Sequence, residues 1–302
     1  MHASGQLGSV LLATLLAAPL WAQPPADPST TASAPVTEPA VNLIRDVVYN
    51  ESHSRDTKSL WEYRSERITP EQRVVREHVE TTQGTVFRTV EQNGMPLDDE
   101  QAREEERRIE HCIHNPGEIA RVAREHREDE DRLIKGLEIL PQAMIFEYRS
   151  RPSPDLIEIA FRPNPSWSPS GFEEHIVHAL TGTVLVNARL KRLVEVRGTV
   201  SERVDFGFGM LGHVEKGGTF MVHRQPVGDA SWRTDVVDVH LQGKILLLKS
   251  LSKDQRETRT DFRQLPNSIT LVQAKDMLDH AAGEVAQIRA LSTTAQITGN
   301  ER

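Results

Sequence analysis

The chain has a single cysteine, Cys112, among its 302 residues. No disulfide can form within one molecule, so a disulfide-stabilised fold is excluded. Aromatic residues make up only 5% of the composition, which argues against an aromatic-rich interior. The net charge of -8 argues against a protein that binds nucleic acid or an anionic membrane surface.

Motifs that carry common enzyme chemistry are also missing. The sequence has no G-x-S-x-G, H-E-x-x-H or C-x-x-C motif and no Walker-type glycine loop. Gly207, Gly209 and Gly212 satisfy G-x-G-x-x-G, but apolar strands surround them, and a dinucleotide site needs a strand followed by a helix. We interpret these glycines as structural, and we expect neither enzyme activity nor a cofactor.

Two histidine pairs resemble metal ligands in their spacing. His111 and His114 flank Cys112 at a predicted helix end, but zinc needs three or four ligands and no fourth is adjacent. His175 and His178 have the same spacing on a predicted strand, where residues three apart point to opposite faces. The sequence therefore predicts no metal site.

The N-terminal segment predicts a secretory signal peptide over residues 1–22. Residues 10–20 are apolar but too few to span a bilayer, and Ala22 offers a cleavage site. The first ten residues contain no Lys or Arg, and a buried N-terminal helix is the alternative. Residues 23–39 are rich in Pro, Ala, Ser and Thr and predict a disordered linker. We expect a periplasmic or secreted protein without a transmembrane segment.

The rest of the sequence predicts a large antiparallel sheet with a helical insertion. Apolar and polar residues alternate in residues 194–201 and 237–242, as in strands with one buried face. Similar runs predict further strands at residues 60–68, 73–80, 85–91, 143–148 and 156–161. Asn93-Gly94 predicts a tight turn.

Helices are predicted at four places. Two long ones cover residues 99–113 and 116–140, and short ones cover residues 41–48 and 270–280. The spacing of Asp98 and Gln101, and of Asn115 and Glu118, predicts a capping box at the start of each long helix. The second long helix is apolar at its two ends, which predicts packing on the sheet there and a solvent-exposed middle.

A glycine-rich run supplies the candidate ligand-binding residues. Its large apolar side chains alternate with Gly207 and Gly209, so they project from one side of a strand that glycine allows to bend. Such a face must be covered, and the second long helix is the nearest apolar cover in the sequence. The predicted ligand-lining residues are Phe206, Phe208, Met210, Phe220, Val222, Leu133 and Leu137.

Several stretches resemble exported bacterial proteins with the fold of the Lol lipoprotein carriers. They are residues 63–67, 90–97, 180–184, 206–212 and 237–244, and the resemblance covers about residues 41–265. It implies an unclosed antiparallel barrel that is lined with apolar side chains and covered by helices. No functional residue of the carriers is matched here, and residues 98–140 are an addition to the pattern.

These observations predict an α+β fold: a strongly curved antiparallel sheet, or open half-barrel, of about nine to eleven strands with helices on its concave face. The half-barrel domain covers residues 40–268, with the helical insertion at residues 98–140; a short helix and polar tail follow at residues 269–302. The predicted function is an exported binding protein that shields a lipid or other apolar ligand. The alternative is an envelope interaction module, without enzyme activity, whose sheet is filled by its own helices.

Overall fold

The computed structural model describes residues 38–53, 59–206, 212–228, 231–245 and 254–280. The side chains of residues 125–134, 172–173, 206, 212 and 244–245 are not described. The predicted signal peptide, nearly all of the predicted linker and the predicted polar tail lie outside the described residues.

The described chain is α+β, as predicted. The strands are β1 (Leu60–Ile68), β2 (Arg73–Thr81), β3 (Gly84–Gln92), β4 (Met95–Pro96), β5 (Met144–Ser150), β6 (Leu156–Pro163), β7 (Leu180–Asn187), β8 (Arg192–Val200), β9 (Val204–Phe206), β10 (Gly212–Val214), β11 (Thr219–Val227), β12 (Ser231–His240), β13 (Gly243–Ile245) and β14 (Asp254–Leu265). The helices are α1 (Ala40–His53), α2 (Asp99–His114), α3 (Pro116–Ala143), α4 (Phe172–His178) and α5 (residues 271–280).

Eleven of these strands form one antiparallel sheet, in the order β4-β3-β2-β1-β14-β12-β11-β8-β7-β6-β5. Strands β1 to β4 follow one another toward one edge, and β5 to β8 run inward from the other edge. The pairing of β1 with β14 joins the N-terminal strands to the rest of the sheet. Strands β13, β10 and β9 form a separate small sheet.

The local turn and cap predictions are largely confirmed. Asn93 and Gly94 both have positive φ, 53° and 78°, as a tight hairpin turn requires. The side chain of Asp98 accepts hydrogen bonds from the backbone N–H groups of Glu100 and Gln101 at 2.9 Å. The side chain of Gln101 accepts the Asp98 N–H at 3.0 Å, which completes the predicted capping box.

Two local predictions are wrong. Asn115 makes no side-chain cap for α3, and its side-chain NH2 group donates to the carbonyl oxygen of His111 at 2.8 Å. This residue alone separates α2 from α3, so it serves the end of the first helix. His175 and His178 lie on helix α4 and not on a strand, since residues 172–178 form a short helix before β7 begins.

The helical insertion connects the two edges of the sheet. It begins after β4 at one edge and ends at β5 on the other edge. Helix α3 has 28 residues and is therefore about 42 Å long. It contacts β3 near its start and β5 at its end, so it packs on the sheet at its ends, as predicted.

Apolar side chains on one face of the sheet, here called face A, hold helix α1. Ile159, Val184, Val196 and Val222 lie opposite one another across β6, β7, β8 and β11. Of these, Ile159, Val184 and Val196 belong to one cluster with the buried apolar side chains of α1, which are Ala40, Leu43, Ile44 and Val47.

The opposite face, here called face B, holds the C-terminal helix. Val79 of β2 and Val86 of β3 are paired there and are buried. Ile109 of α2 and Leu271 and Leu278 of α5 pack in the same cluster. The described helices thus cover both faces of the sheet, whereas the sequence predicted helices on one concave face.

Candidate functional site

The structure separates the predicted lining residues that lie on strands. Phe220 and Val222 lie on β11 with their side chains on face A, and Phe220 packs against the α1 cluster. Phe206 lies on β9, in the small sheet, and its side chain is not described. Phe208 and Met210 lie outside the described residues. Phe206 and Phe220 therefore belong to different sheets.

The predicted cover residues lie on helix α3. Leu137 is half-buried, and the side chain of Leu133 is not described. The contacts of α3 with the main sheet are concentrated on β3 and β5, near the two edges.

A groove of about 720 Å³ lies beside Phe220. In the register of β6, β7, β8 and β11, Phe161, Gly182, Gly198 and Phe220 lie opposite one another in one row. Phe161 and Phe220 flank the two glycines on face A and pack against the α1 cluster. The remaining lining residues are Arg149, Glu158, Thr181, Thr183, Arg197, Thr199 and Thr219.

The glycine pair is required by the close approach of two strands. A Cβ atom at Gly182 would overlap the carbonyl oxygen of Arg197, and one at Gly198 would overlap that of Thr181. A Cβ at Gly198 would also come within 3.0 Å of the Phe220 ring. No side chain fits at either position, so the floor of the groove stays open.

A second feature lies on face A of β1, β2 and β3. Tyr63, His78 and Phe87 are cross-strand neighbours. The ring centroids of Tyr63 and His78 are 4.6 Å apart and nearly parallel, and those of His78 and Phe87 are 5.8 Å apart. We call these three side chains the aromatic row.

Three guanidinium groups lie over the ends of the aromatic row. The Cζ atom of Arg259 is 5.7 Å from the Tyr63 ring centroid. The Cζ atoms of Arg76 and Arg108 are 4.6 Å and 4.1 Å from the centroid of Phe87. These distances suit cation–π attraction.

Two of these arginines have carboxylate partners. Arg259 pairs with Glu257 at 2.8 Å, and Arg108 pairs with Glu105 at 2.8 Å. Arg76 differs, because its Nε is buried without a hydrogen-bond partner and no described residue forms an ion pair with it. Burial, reinforced by the charge of nearby Arg67, lowers the pKa of Arg76. Arg76 is therefore the guanidinium of this cluster that forms no ion pair with a described residue, although the charges of Glu105 and Glu257 act on it from a distance.

The centre of the aromatic row is a neutral imidazole. Burial, followed by the positive charge of Arg259, lowers the pKa of His78 to about 3. Its Nε2 atom lies 2.8 Å from the Ser65 hydroxyl. An imidazole with such a pKa is a weak base at neutral pH and cannot activate the hydroxyl efficiently, so the arrangement favours binding over nucleophilic catalysis.

The sequence carries one sign of this surface. Aromatic or hydroxyl side chains and arginines occupy alternate positions at Tyr63, Ser65 and Arg67, and again at Arg76 and His78. The charged character of these strands predicted a solvated face. Which arginines lack a carboxylate depends on pairing between distant strands, and the sequence pattern does not show it.

The other histidine candidates lie at helix ends. His111 lies 3.4 Å from Glu118, and His114 lies 3.6 Å from Glu110, both near the junction of α2 and α3. Within the described residues, no group of three or more His, Cys, Asp or Glu side chains is placed to hold a metal ion.

No protein-family model, curated protein or solved structure matches the chain. Among the described helices, none is both long enough and apolar enough to cross a membrane. Any functional conclusion therefore rests on the geometry of the groove and of the aromatic row.

Proposed function

We propose that this chain is an exported binding protein that holds a lipid or another apolar ligand in the groove over Gly182 and Gly198. The observation that carries the proposal is the pair Gly182 and Gly198, which leaves bare backbone in a groove of about 720 Å³. The bare backbone gives the groove a floor without side chains, and the surrounding threonines and arginines provide a polar rim. The proposed export rests on the apolar segment of residues 10–20.

We also propose that the sheet is curved, as in the unclosed barrel of the Lol carriers. The support is the pair Gly182 and Gly198, where strands approach too closely for any side chain. Paired glycines of this kind are a device for bending a sheet.

The test is to fill the groove without disturbing the core. Thr199 lines the groove and is exposed, so Thr199→Trp should fit on the surface and occupy the ligand space. We expect wild-type protein to take up the neutral dye N-phenyl-naphthylamine, and we expect Thr199→Trp to lose at least about tenfold in affinity. Dye fluorescence measures both.

Thr260→Trp is the matched control, because Thr260 is an exposed strand residue that does not line the groove. It should bind the dye like wild type. Mass spectrometry of natively purified protein should also detect a bound apolar molecule. Equal dye binding by wild type and Thr199→Trp would count against the groove as the ligand site.

The second candidate is an envelope interaction module without enzyme activity. The observation that favours it is the packing of α1 on face A, where Leu43, Ile44 and Val47 fill the space above β5 to β8. If the wild type neither takes up the dye nor carries an apolar molecule, this candidate becomes the better one. Crosslinking in the periplasm would then identify its partner.

A further inference from the structure

We propose that the aromatic row is part of a second binding site, which takes a phosphate group between the guanidinium groups of Arg76 and Arg259, above His78. This site lies on β1, β2 and β14, and the groove lies on β6, β7, β8 and β11, so the inference does not depend on the proposed groove ligand.

The sheet register builds the site. Ser65 lies directly opposite Arg76 on β2 and directly opposite Arg259 on β14. A directly opposed pair places Cβ atoms about 5 Å apart, so the Cβ atoms of the two arginines are about 10 Å apart across the small Ser65. Arg259 leans over Tyr63 and Arg76 leans over Phe87, which leaves His78 between them.

The charges around the site leave one cation, Arg76, without an ion pair to a described residue. Glu257 accepts hydrogen bonds from both Arg67 and Arg259, and its carboxylate is thereby shared. Arg76 lies among these cations without an ion pair to any described residue. Placing a half-buried guanidinium near like charges is costly, and a bound anion would offset that cost.

The carboxylates that face the site are already engaged. Glu105 accepts from Arg108, and Glu80 accepts from Arg233. Glu257 accepts hydrogen bonds from Arg67 and Arg259.

The geometry favours phosphate over carboxylate. A carboxylate presents both oxygens on one side and suits one guanidinium fork. Phosphate presents oxygens in every direction, so it can accept from Arg76 on one side, from Arg259 on the other and from the Ser65 hydroxyl below. The neutral His78 ring has no positive charge to contribute, and it forms the floor beside Ser65.

The test uses the full-length mature protein and inorganic phosphate as the probe. We expect phosphate to raise the Tm of the wild type and to shift the NMR signals of the His78 imidazole. Arg76→Gln should reduce phosphate affinity about ten- to hundredfold, because it removes a charged hydrogen-bond donor. In buffer without phosphate, Arg76→Gln should be at least as stable as the wild type, since it removes a cation that forms no ion pair with a described residue.

Arg189→Gln is the matched control, because it removes the same charge at an exposed position far along the chain from the site. It should bind phosphate like wild type. If Arg76→Gln fails to fold, Arg76→Lys retains the charge without the guanidinium fork and should weaken binding by a smaller factor. The inference is overturned if phosphate produces no His78 shift in the wild type, or if affinity is the same in wild type and the Arg76 variant.

Decyl phosphate distinguishes a lipid headgroup from free phosphate as the natural source. A much higher affinity for decyl phosphate, lost in Arg76→Gln but retained in Thr199→Trp, would identify a phosphorylated lipid bound at this site. Equal affinity for the two probes would identify free phosphate or a small phosphate ester. If Arg76→Gln retains the higher affinity for decyl phosphate, this probe binds in the groove, and the proposed phosphate site is wrong.

Discussion

At the scale of single residues, a buried carboxylate ties helix α1 to the sheet. Glu51 is only 7% exposed, and it accepts hydrogen bonds from Arg192 at 2.9 Å and from the backbone N–H of Leu193 at 3.0 Å. It also forms an ion pair with Arg224 of β11. One carboxylate thus compensates two half-buried guanidinium groups and fixes the position of the helix.

Glu51→Gln should therefore destabilise the fold by about 3 kcal/mol, because it leaves two guanidinium groups without their anion. Urea unfolding measures the change. Asp46→Asn is the control on the same helix, since Asp46 pairs with Lys191 at the surface, and it should cost less than about 1 kcal/mol. Similar losses in the two variants would show that the buried network contributes no special stability.

The neutral imidazole of His78 makes stability depend on pH. Burial, then Arg259, lowers its pKa to about 3, whereas an unfolded histidine titrates near about 6.5. Between pH 7 and pH 5 the unfolded chain gains a proton at this residue and the folded chain does not, so the free energy of unfolding falls as the pH falls.

Between pH 7 and pH 5, the free energy of unfolding of His78→Gln should fall by about 1–2 kcal/mol less than that of the wild type. Urea unfolding at both pH values, in buffer without phosphate, measures the difference. The carboxylates with lowered pKa values, Glu105 and Glu257, remain ionised over this range and contribute equally to both proteins. Identical pH dependence would mean that His78 is protonated in the folded protein.

At the scale of elements, helix α2 covers one edge of the sheet. Strand β4 has only two residues, so most of the outer edge of β3 has no strand beside it. The Glu105 carboxylate accepts the backbone N–H of Thr89 at 2.5 Å, and Arg108 donates to the carbonyl oxygen of Phe87 at 2.5 Å. Although burial opposes it, these bonds from Arg108 and Thr89 hold the pKa of Glu105 below its usual value. Side chains here replace a missing strand.

Glu105→Ala should expose this edge. We expect a loss of about 1–3 kcal/mol, because a half-buried backbone N–H loses its acceptor, together with faster hydrogen exchange at the Thr89 amide. Glu104→Ala is the control at a neighbouring exposed position and should leave Thr89 protected. Unchanged exchange in Glu105→Ala would show that another group satisfies the amide.

At the scale of the whole molecule, helix α3 indicates how far apart the sheet edges lie. Ten inter-strand steps separate β4 from β5, which is about 48 Å along the sheet. A helix of about 42 Å that contacts both β3 and β5 is nearly as long. The sheet is therefore open.

Spin labels at Met95 of β4 and Glu147 of β5, both exposed, should report a distance of about 40 Å. The measurement is pulsed electron resonance on a Cys112→Ser background, since Cys112 is the chain's only cysteine. A distance near about 20 Å would mean that the edges approach each other and that the sheet curls strongly.

Local chemistry determined much of this fold. Period-two patterns located β1, β2, β3 and β6 within a few residues, because a half-buried strand must alternate its side chains. Asp98, Gln101 and Pro116 marked the starts of the long helices, because capping depends on residues that are close in sequence.

Only the tertiary structure decided which side chains meet. The sequence predicted one apolar face from Phe206 to Val222, yet Phe206 and Phe220 belong to different sheets, since strand order depends on long-range pairing. The same pairing set Gly182 beside Gly198, and it placed Ser65 between Arg76 and Arg259. Residues far apart in sequence share a site only through this register, and a periodic pattern within one strand carries no information about it.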